Sequence, residues 1–338
     1  MHWLTLQKRT HYLRSIRELF WSWGFTEVDT PLIVACPGQE PFLDPFETRV
    51  EDAAGRAHPG YLITSPEYAM KKLLAKAALG EAPEFGKIFQ LGKVFRNNED
   101  FGGTHNPEFT MIEWYRLGAD YTDLMTDVET LVCEMVAGGV FASAVAGPSA
   151  KANTPPDQLT YQNRTINLQR PWRRITVVEA FKEFAHRDDA LELAEKNPDE
   201  FYKIFMNEVE PKFRDLEYPI FLTEYPASMA ALARKKTSDP HVAERFECYI
   251  GGLEIANAFS ELTDATEQRA RFEIEQQERI HLGKKSFEID EEFLRLLPHI
   301  KKAAGISVGV DRLIMLLEDK RDINDVIFWP CRDLFEAQ

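Results

Sequence analysis

The chain is short of cysteine. Cys36, Cys133, Cys248 and Cys331 are widely scattered, with no C-x-x-C pair. That spacing argues against structural zinc and against a disulfide framework, and it fits a reducing cytoplasm. Long apolar runs are missing too. No stretch reaches transmembrane length, and Met1-His2-Trp3-Leu4-Thr5 leads straight into a helical pattern, not a secretion signal. The expectation is a cytoplasmic protein with no membrane partner. Positive charge is also scarce: 40 Lys and Arg face 55 Asp and Glu, a net charge of −15, which argues against broad nucleic-acid binding. Arg173-Arg174 and Lys235-Lys236 are candidate local basic patches, although such pairs are usually solvated surface. No G-x-G-x-x-G follows a strand and no G-x-x-x-x-G-K-[ST] occurs, so neither a Rossmann crevice nor a P-loop is indicated.

What is present is an ordinary globular composition, 44% hydrophobic and 28% charged over 338 residues, enough for one large domain or two smaller ones. Residues 6–23 carry a helical repeat. Leu13, Ile16, Phe20 and Trp23 share a face with Leu19 beside them, and Gly24 stops the helix. Phe25 to Pro31 then reads as a strand. Ser65 suits an N-cap and Pro66 the first helical position, ahead of an apolar face of Met70, Leu73, Leu74 and Ala77. Lys87–Arg96 and Phe109–Leu117 read as antiparallel strands joined by a polar loop, 97–108. In the second strand Phe109, Met111, Glu113 and Tyr115 share one face, and Thr110, Ile112, Trp114 and Arg116 the other. Residues 138–170, with Thr154-Pro155-Pro156-Asp157, read as a loop or surface insertion. Helices are expected between 176 and 216, strands at 219–224 and 246–261, and charged helices at 265–282 and 291–303. A last long helix buries Val310, Leu313, Ile314 and Leu317. The fold class is α+β, an antiparallel sheet flanked by helices.

Two stretches carry chemistry. One is Phe95-Arg96-Asn97-Asn98-Glu99 followed by His105-Asn106-Pro107-Glu108-Phe109; the other is Gly305-Ile306-Ser307-Val308-Gly309-Val310-Asp311-Arg312-Leu313. Each sets an arginine at the edge of a sheet element, and two guanidinium forks on one cleft suit a triphosphate. Arg312 begins a helix, an end that favours anions, and Gly309 allows close backbone approach. Phe109 offers a ring for adenine, and Asn106 a hydrogen bond to ATP or the amino acid. The carboxylates of Glu254 and Glu261 suit Mg²⁺. Their spacing of seven puts them on opposite faces of an ideal strand, so the strand must end or bulge before Glu261 if both see one metal. Glu113 lies on an apolar and aromatic strand face, where a carboxylate needs a cation: a structural salt bridge or a ligand ammonium. Glu67 and Tyr115 are the other candidate substrate readers.

These stretches resemble motifs 2 and 3 of the class II aminoacyl-tRNA synthetases, and the opening helix–Gly–strand–Pro resembles motif 1. Thr64 through Arg116 and Pro226 through Met315 look like a lysyl-tRNA synthetase catalytic domain. Ser65-Pro66-Glu67-Tyr68, Glu113-Trp114-Tyr115, Pro226-Ala227-Ser228 and Val242-Ala243-Glu244-Arg245-Phe246-Glu247 resemble more closely the stand-alone paralogues that ligate (R)-β-lysine to elongation factor P. The resemblance implies a single catalytic domain over 1–338, with motif 1 in 1–35, motif 2 in 87–117, a loop and helical insertion at 138–218 and motif 3 in 305–318. It implies ATP and Mg²⁺, a lysine or (R)-β-lysine substrate, elongation factor P as partner and a homodimer through motif 1. Because the sequence opens on the motif 1 helix, no anticodon-binding domain is expected and tRNA is an unlikely partner. Arg96, Asn97, Glu99, His105, Asn106, Phe109, Glu254, Ile255, Gly309 and Arg312 would surround ATP, with Glu254 and Glu261 on the metal. Ser65, Pro66, Glu67, Glu113, Tyr115, Asn257, Glu261 and Ser307 would surround the amino acid. Arg96, Arg312 and Glu261 would be catalytic.

Three departures stand out. Arg96-Asn97-Asn98-Glu99 is one residue longer than the usual Arg-Asn-Glu. Ala258 replaces a usual Gly, implying a tighter fit against the substrate. Ser307 stands where lysyl-tRNA synthetases have Gly and the ligases Ala, which leaves α-lysine and (R)-β-lysine both open. A minimal lysyl-tRNA synthetase, a catalytically silent regulatory paralogue and a ligase for another acceptor are the alternatives.

Overall fold

The computed structural model describes residues 3–138, 157–230 and 232–336. Helix α1 (Trp3–Ser22) lays Ile16, Leu19 and Phe20 into the core, where Phe20 meets the Trp114 ring at 4.9 Å. Gly24, at φ 76°, takes the left-handed conformation that ends it. The strand expected at Phe25–Pro31 shrinks to β1 (Thr26–Glu27), because the Thr30 amide is taken by the Gln90 side chain at 2.9 Å instead of by a ladder. Strands β2 (Ile33–Val34), β3 (Glu47–Glu51) and β4 (Ala57–Leu62) form a small separate sheet. Helix α2 (Glu67–Ala78) starts one residue later than expected, yet Ser65 Oγ still accepts from the Glu67 amide at 3.1 Å.

Strands β5 (Lys87–Phe95) and β6 (Glu108–Leu117) pair antiparallel, as the alternation required, and α3 (Tyr121–Val136) follows under an Asp120 capping box. Ile112 and Trp114 face the main core while Glu113 and Tyr115 face a cavity. Within the stretch expected as loop, β7 (Gln158–Tyr161) and β8 (Arg164–Asn167) form a hairpin whose Leu159, Tyr161 and Ile166 reach the core. Thr154-Pro155-Pro156 lies outside the described residues.

Strand β9 (Arg173–Thr176) leads to short helices α4 (Val177–Phe184), α5 (Ala190–Lys196) and α6 (Pro198–Ile204), a π turn at Phe205–Val209, and α7 (Glu210–Phe213). Their Phe181, Phe201 and Phe213 make a second apolar cluster with β10 (Ile220–Thr223). Strands β11 (Lys235–Lys236) and β12 (Asp239–Ala243) are a separate hairpin, in which Lys235 and Lys236 are neutralised by Glu267 and Glu224. Arg173 is matched by Glu183. Neither Lys235-Lys236 nor Arg173 leaves unpaired charge for a nucleic-acid backbone.

The run expected at 246–261 is two strands, β13 (Arg245–Ile250) and β14 (Leu253–Ser260), because Gly251 and Gly252 (φ 59° and 82°) turn the chain back. Helix α8 (Ala265–His281) matches its expected span. Helix α9 (Glu291–Leu296) stops early, and the chain passes into a 3₁₀ turn at Leu297–His299 that contains Pro298. Strand β15 (Ala303–Gly309) runs into α10 (Val310–Leu317), which buries Val310, Leu313, Ile314 and Leu317 as expected; α11 (Cys331–Phe335) closes the described chain.

The main sheet has the order β1-β5-β6-β15-β14-β13-β10-β9. Every internal pairing is antiparallel; only the outermost pair at each edge is parallel. One face packs on α1, α3 and α10, and the other floors the cavity. A buried network locks α1, β6 and α10 together. Arg9 of α1 pairs with Asp311 of α10, donates to Thr110 Oγ1 at 2.7 Å and to the Val326 carbonyl at 3.0 Å, while Asp311 accepts the Thr110 amide at 2.7 Å.

Candidate active site

The cavity is about 1320 Å³, more than an ordinary small-ligand pocket requires. Register explains its floor. Glu113 of β6, Ser307 of β15, Asn257 of β14 and Glu247 of β13 lie in one row across the sheet, and Tyr115, Gly305, Phe259 and Arg245 in the next. A bulge at Ile255 supplies the missing half-step: Tyr249 opposes Glu254 while Cys248 opposes Ala256. The extra residue turns Glu254 onto the cavity face with Asn257 and Phe259.

At one end the floor is acidic. Ser65 Oγ donates to Glu113 Oε2 at 2.8 Å and Tyr115 donates to Glu113 Oε1 at 2.5 Å. Lys71, one turn after Glu67 on α2, pairs with both Glu67 and Glu261. Burial opposes the Lys71 charge, but Glu261 and Glu67 raise its pKa well above the ordinary lysine value. Glu113 and Glu261 are 2% and 1% exposed. Burial, then the Glu67 charge, pushes the Glu113 carboxyl up to about 8; burial does the same for Glu261, to about 8, against the pull of Lys71. Lys71 is shared by Glu67 and Glu261, while Glu113 has only hydroxyl partners among the described residues.

Gly305 underlies this end. A β-carbon there would collide with the Tyr115 ring and Glu261, so only glycine lets both side chains cross the strand. Sequence reasoning missed Gly305 as a packing site. It also missed Lys71, whose signal was the Glu67–Lys71 i,i+4 spacing beside Met70 and Leu74.

The other end is basic. Arg96 follows β5, its amide bonded to the Pro107 carbonyl at 2.9 Å, its guanidinium 5.1 Å from the Phe109 ring centre and its Nε buried without a partner. Burial lowers its pKa, with Glu99 and Glu254 acting against that. Arg312, on the first turn of α10, donates to the Glu254 carbonyl (3.0 Å) and carboxylate (3.2 Å), to the Thr104 carbonyl (3.2 Å) and to His105 Nε2 (3.0 Å). Burial and then Arg312 hold His105 below the usual histidine pKa, so it stays neutral as an acceptor. Glu99 lies 3.9 Å from His105 Nε2. The longer loop is accommodated by Asn98, which adopts φ 60° and bonds Asp44 at 3.0 Å, while the Asn97 amide bonds the Asp44 carbonyl at 2.7 Å.

Several expectations change. Asn106 is buried and engaged by protein: its Nδ2 donates to the Glu108 carbonyl (2.6 Å) and its Oδ1 accepts the Cys331 amide (3.0 Å), so it braces the loop. Ile255 turns its side chain into the core, leaving only backbone for a nucleotide. Ala258 is also in the core, on the face opposite Asn257, and does not tighten the substrate side. One face of Phe109 is already covered by Arg96. Pro66 serves as the residue before α2, and Gly309 as the residue before α10. Ser307 lines the cavity, its Oγ 3.5 Å from the Asn257 carbonyl, and Asn257 Oδ1 accepts from Arg245 at 3.2 Å.

Glu254 and Glu261 cannot share a metal. They sit at opposite ends of β14, about 20 Å apart along the strand at ~3.3 Å per residue, and Glu261 is held by Lys71. The carboxylate beside Glu254 is Glu247, its diagonal neighbour on β13. Glu247 accepts from Tyr249 (2.6 Å), Tyr225 (2.5 Å) and Arg245 (2.7 Å), and burial followed by the Glu254 charge raises its pKa. No cluster of three or more metal-ligating side chains occurs among the described residues. A carboxylate pair fits Mg²⁺ brought in with phosphates, an ion that completes its shell from phosphate oxygens and water.

The model of class II tRNA synthetases (D, K and N) matches residues 3–333, and the chain belongs to that family. Among particular relatives, the elongation factor P–(R)-β-lysine ligase of Proteus mirabilis is 38% identical over 330 residues, covering 96% of this chain and 94% of that protein. The ligase of the same name from Vibrio cholerae is 34% identical over the same shares. The lysine–tRNA ligase of Clostridium perfringens is 35% identical over 351 residues, 96% of this chain but 64% of that protein.

Proposed function

We propose that this chain activates a lysine-type amino acid with ATP and transfers it to a lysine side chain of elongation factor P. The observation that carries the reading is the acidic end of the cavity: Glu67, Glu113 and Glu261 against the single ammonium of Lys71. Burial keeps the Glu113 and Glu261 carboxyls protonated up to about 8, and the two ammonium groups of α-lysine or (R)-β-lysine are the partners that would ionise both.

In the first step the substrate carboxylate attacks the α-phosphorus of ATP, and the bond to pyrophosphate breaks. Arg96, with its unpartnered Nε, and Arg312 lie at the basic end to take the phosphoryl charge, so catalysis is positioning and electrostatics. Glu254 and Glu247 would hold Mg²⁺, which when bound neutralises phosphate oxygens. His105 holds Arg312 from the loop side, with Glu99 3.9 Å from the same ring nitrogen. The aminoacyl adenylate then yields an amide with the acceptor amine. Exposed Trp3, Leu4 and Trp21 on α1 and Ile33 on β2 support a homodimer through this face. No helix among the described residues is long and apolar enough to cross a membrane.

The test is the intact mass of elongation factor P after incubation with this protein, ATP, Mg²⁺ and either α-lysine or (R)-β-lysine, with bulk tRNA as control. A gain of one lysyl unit on the factor alone is expected. Charging of tRNA with none of the factor would replace the reading by a minimal lysyl-tRNA synthetase.

A further inference from the structure

The cavity holds a second set of carboxylates that adenylation does not use. Past Glu67, where the 37–46 loop faces α8, the wall carries Glu40, Glu275 and Glu278. Glu275 is 9% exposed, and no hydrogen bond or ion pair reaches its carboxylate from the described residues. Of the two arginines four residues away on its own helix, Arg271 is directed at Glu267 and at the carbonyls of Ala230 (2.6 Å) and Ala233 (3.0 Å), and Arg279 at the carbonyls of Lys285 (2.8 Å), Glu40 (2.8 Å) and Leu43 (2.9 Å). Glu40 Oε2 is likewise buried without a partner. Burial first, then the Glu40 charge, pushes the Glu275 carboxyl up to about 8, and burial with Glu67 raises Glu40. A structural carboxylate this deep is normally paired, because leaving it alone costs the fold.

We propose that Glu275 and Glu40 form a receiving subsite for a further ammonium group, that of the acceptor amine that attacks the aminoacyl adenylate. The inference rests on the ligase reading above. Charge counting supports it: with Glu67 matched by Lys71, the two ammonium groups of a bound diamino acid draw Glu113 and Glu261 into their ionised forms and use both, so the acceptor needs acid of its own. Position supports it as well. Glu40 and Glu275 line the same cavity as Glu67, Glu113 and Arg96, the residues proposed to hold the amino acid and the phosphoryl group. The acceptor arrives as an ammonium; its charge favours the ionised Glu275, whose own proton leaves to solvent, and the ammonium then gives one proton to the Glu275 carboxylate. Its freed lone pair attacks the adenylate carbonyl, the C–N bond forms, and the C–O bond breaks with its electron pair remaining on the AMP phosphate. The second nitrogen proton leaves to solvent, giving an amide and AMP.

Glu275→Gln tests this in the full chain through three readouts. Lysine-dependent ATP–pyrophosphate exchange should stay within about twofold of wild type, as should hydroxamate formation with hydroxylamine, a nucleophile uncharged at neutral pH. Transfer to elongation factor P should fall about tenfold or more through a raised acceptor KM, the scale of losing one charge partner. Glu275→Asp should restore it. Undiminished transfer by Glu275→Gln, or equal loss in all three readouts, overturns the subsite. If wild type leaves the factor unmodified, the ligase reading fails separately. Nα-acetyl-lysinamide then replaces the factor: slowing there but not with hydroxylamine upholds the subsite, and equal rates overturn it.

Discussion

The two ends of the cavity hold charge in opposite ways. At the basic end Arg312 is already hydrogen-bonded, but to carbonyls, a neutral histidine and a half-exposed Glu254, partners that a phosphate can replace or join. At the acidic end the carboxylates are sealed in, Glu113 and Glu261 almost fully buried, and among the described residues the one cation paired there, Lys71, is shared by Glu67 and Glu261. The difference separates chemistry from selectivity. Arginines with exchangeable partners can follow charge as it moves along a reacting triphosphate. Carboxylates locked by Ser65, Tyr115 and Gly305 can only wait for an ammonium at a fixed place.

The strongest way to break the comparison is Arg312→Ala. It removes a charge needed only as the phosphoryl group reacts, so ATP–pyrophosphate exchange should drop on the order of 10³-fold, the usual scale for a phosphoryl-clamping arginine. The fold should survive, since Arg312 contributes nothing to the core. Normal exchange in that variant would remove Arg312 from the reaction.

Glu113→Gln acts on the other end. The amide keeps the shape and can accept from one of the two hydroxyls, Ser65 or Tyr115, but removes the charge an ammonium seeks. The lysine KM in the exchange reaction should rise about 100-fold, near the cost of stripping one partner from a buried charge pair, with the ATP KM little changed. A matching rise in both constants would show that the two ends do not work separately.

Acidity should sharpen the contrast without any substitution. Glu113 and Glu261 hold protons up to about 8 in the empty fold, whereas the unfolded chain releases them in the ordinary carboxylate range. The folded state therefore binds more protons between those limits, and the stability of the empty protein falls as pH climbs from ~5 to ~8. The two lysine ammonium groups favour both ionised forms, so binding expels up to two protons below pH 8. Lysine affinity should accordingly improve by up to about 100-fold per unit from pH 6 to 8 and then level, as linkage to two protons requires. Titration calorimetry in buffers of different ionisation enthalpy reads the released protons directly; their absence would contradict the protonated resting state.

Much of this architecture was legible in the residues, and the failures share a cause. The alternation in Phe109–Leu117 placed Glu113 and Tyr115 on one face and Trp114 on the other, because a two-residue period needs no tertiary information. The spacing asks for a bulge only as the condition for Glu254 and Glu261 to share a metal; the bulge at Ile255 exists, but it turns Glu254 toward Glu247 and leaves Glu261 with Lys71. Which carboxylate Glu254 would meet was not readable. Glu247 reaches it across a hairpin whose Gly251-Gly252 turn was taken for continuous strand, and cross-strand register decides such neighbours. Lys71 and Gly305 escaped for a related reason: their importance lies in what two other strands and a helix set upon them.

Asn106 gives the smallest effect and the clearest test of that lesson. From its motif it reads as a ligand contact; in the fold its amide joins the Glu108 carbonyl to the Cys331 amide, closing the loop against α11. Asn106→Ala leaves the Cys331 amide and the Glu108 carbonyl without that partner, which should cost about 1–2 kcal/mol of stability. Because the loop carries His105 and Thr104 to Arg312, slackening it should raise the ATP KM by only about twofold to threefold, an indirect effect well below the loss of a direct contact. Thermal denaturation and exchange kinetics on the same sample distinguish the two roles. A stable variant with a strongly raised ATP KM would return Asn106 to the nucleotide, whereas a destabilised variant with near-normal kinetics leaves it as the brace that keeps the basic end in place.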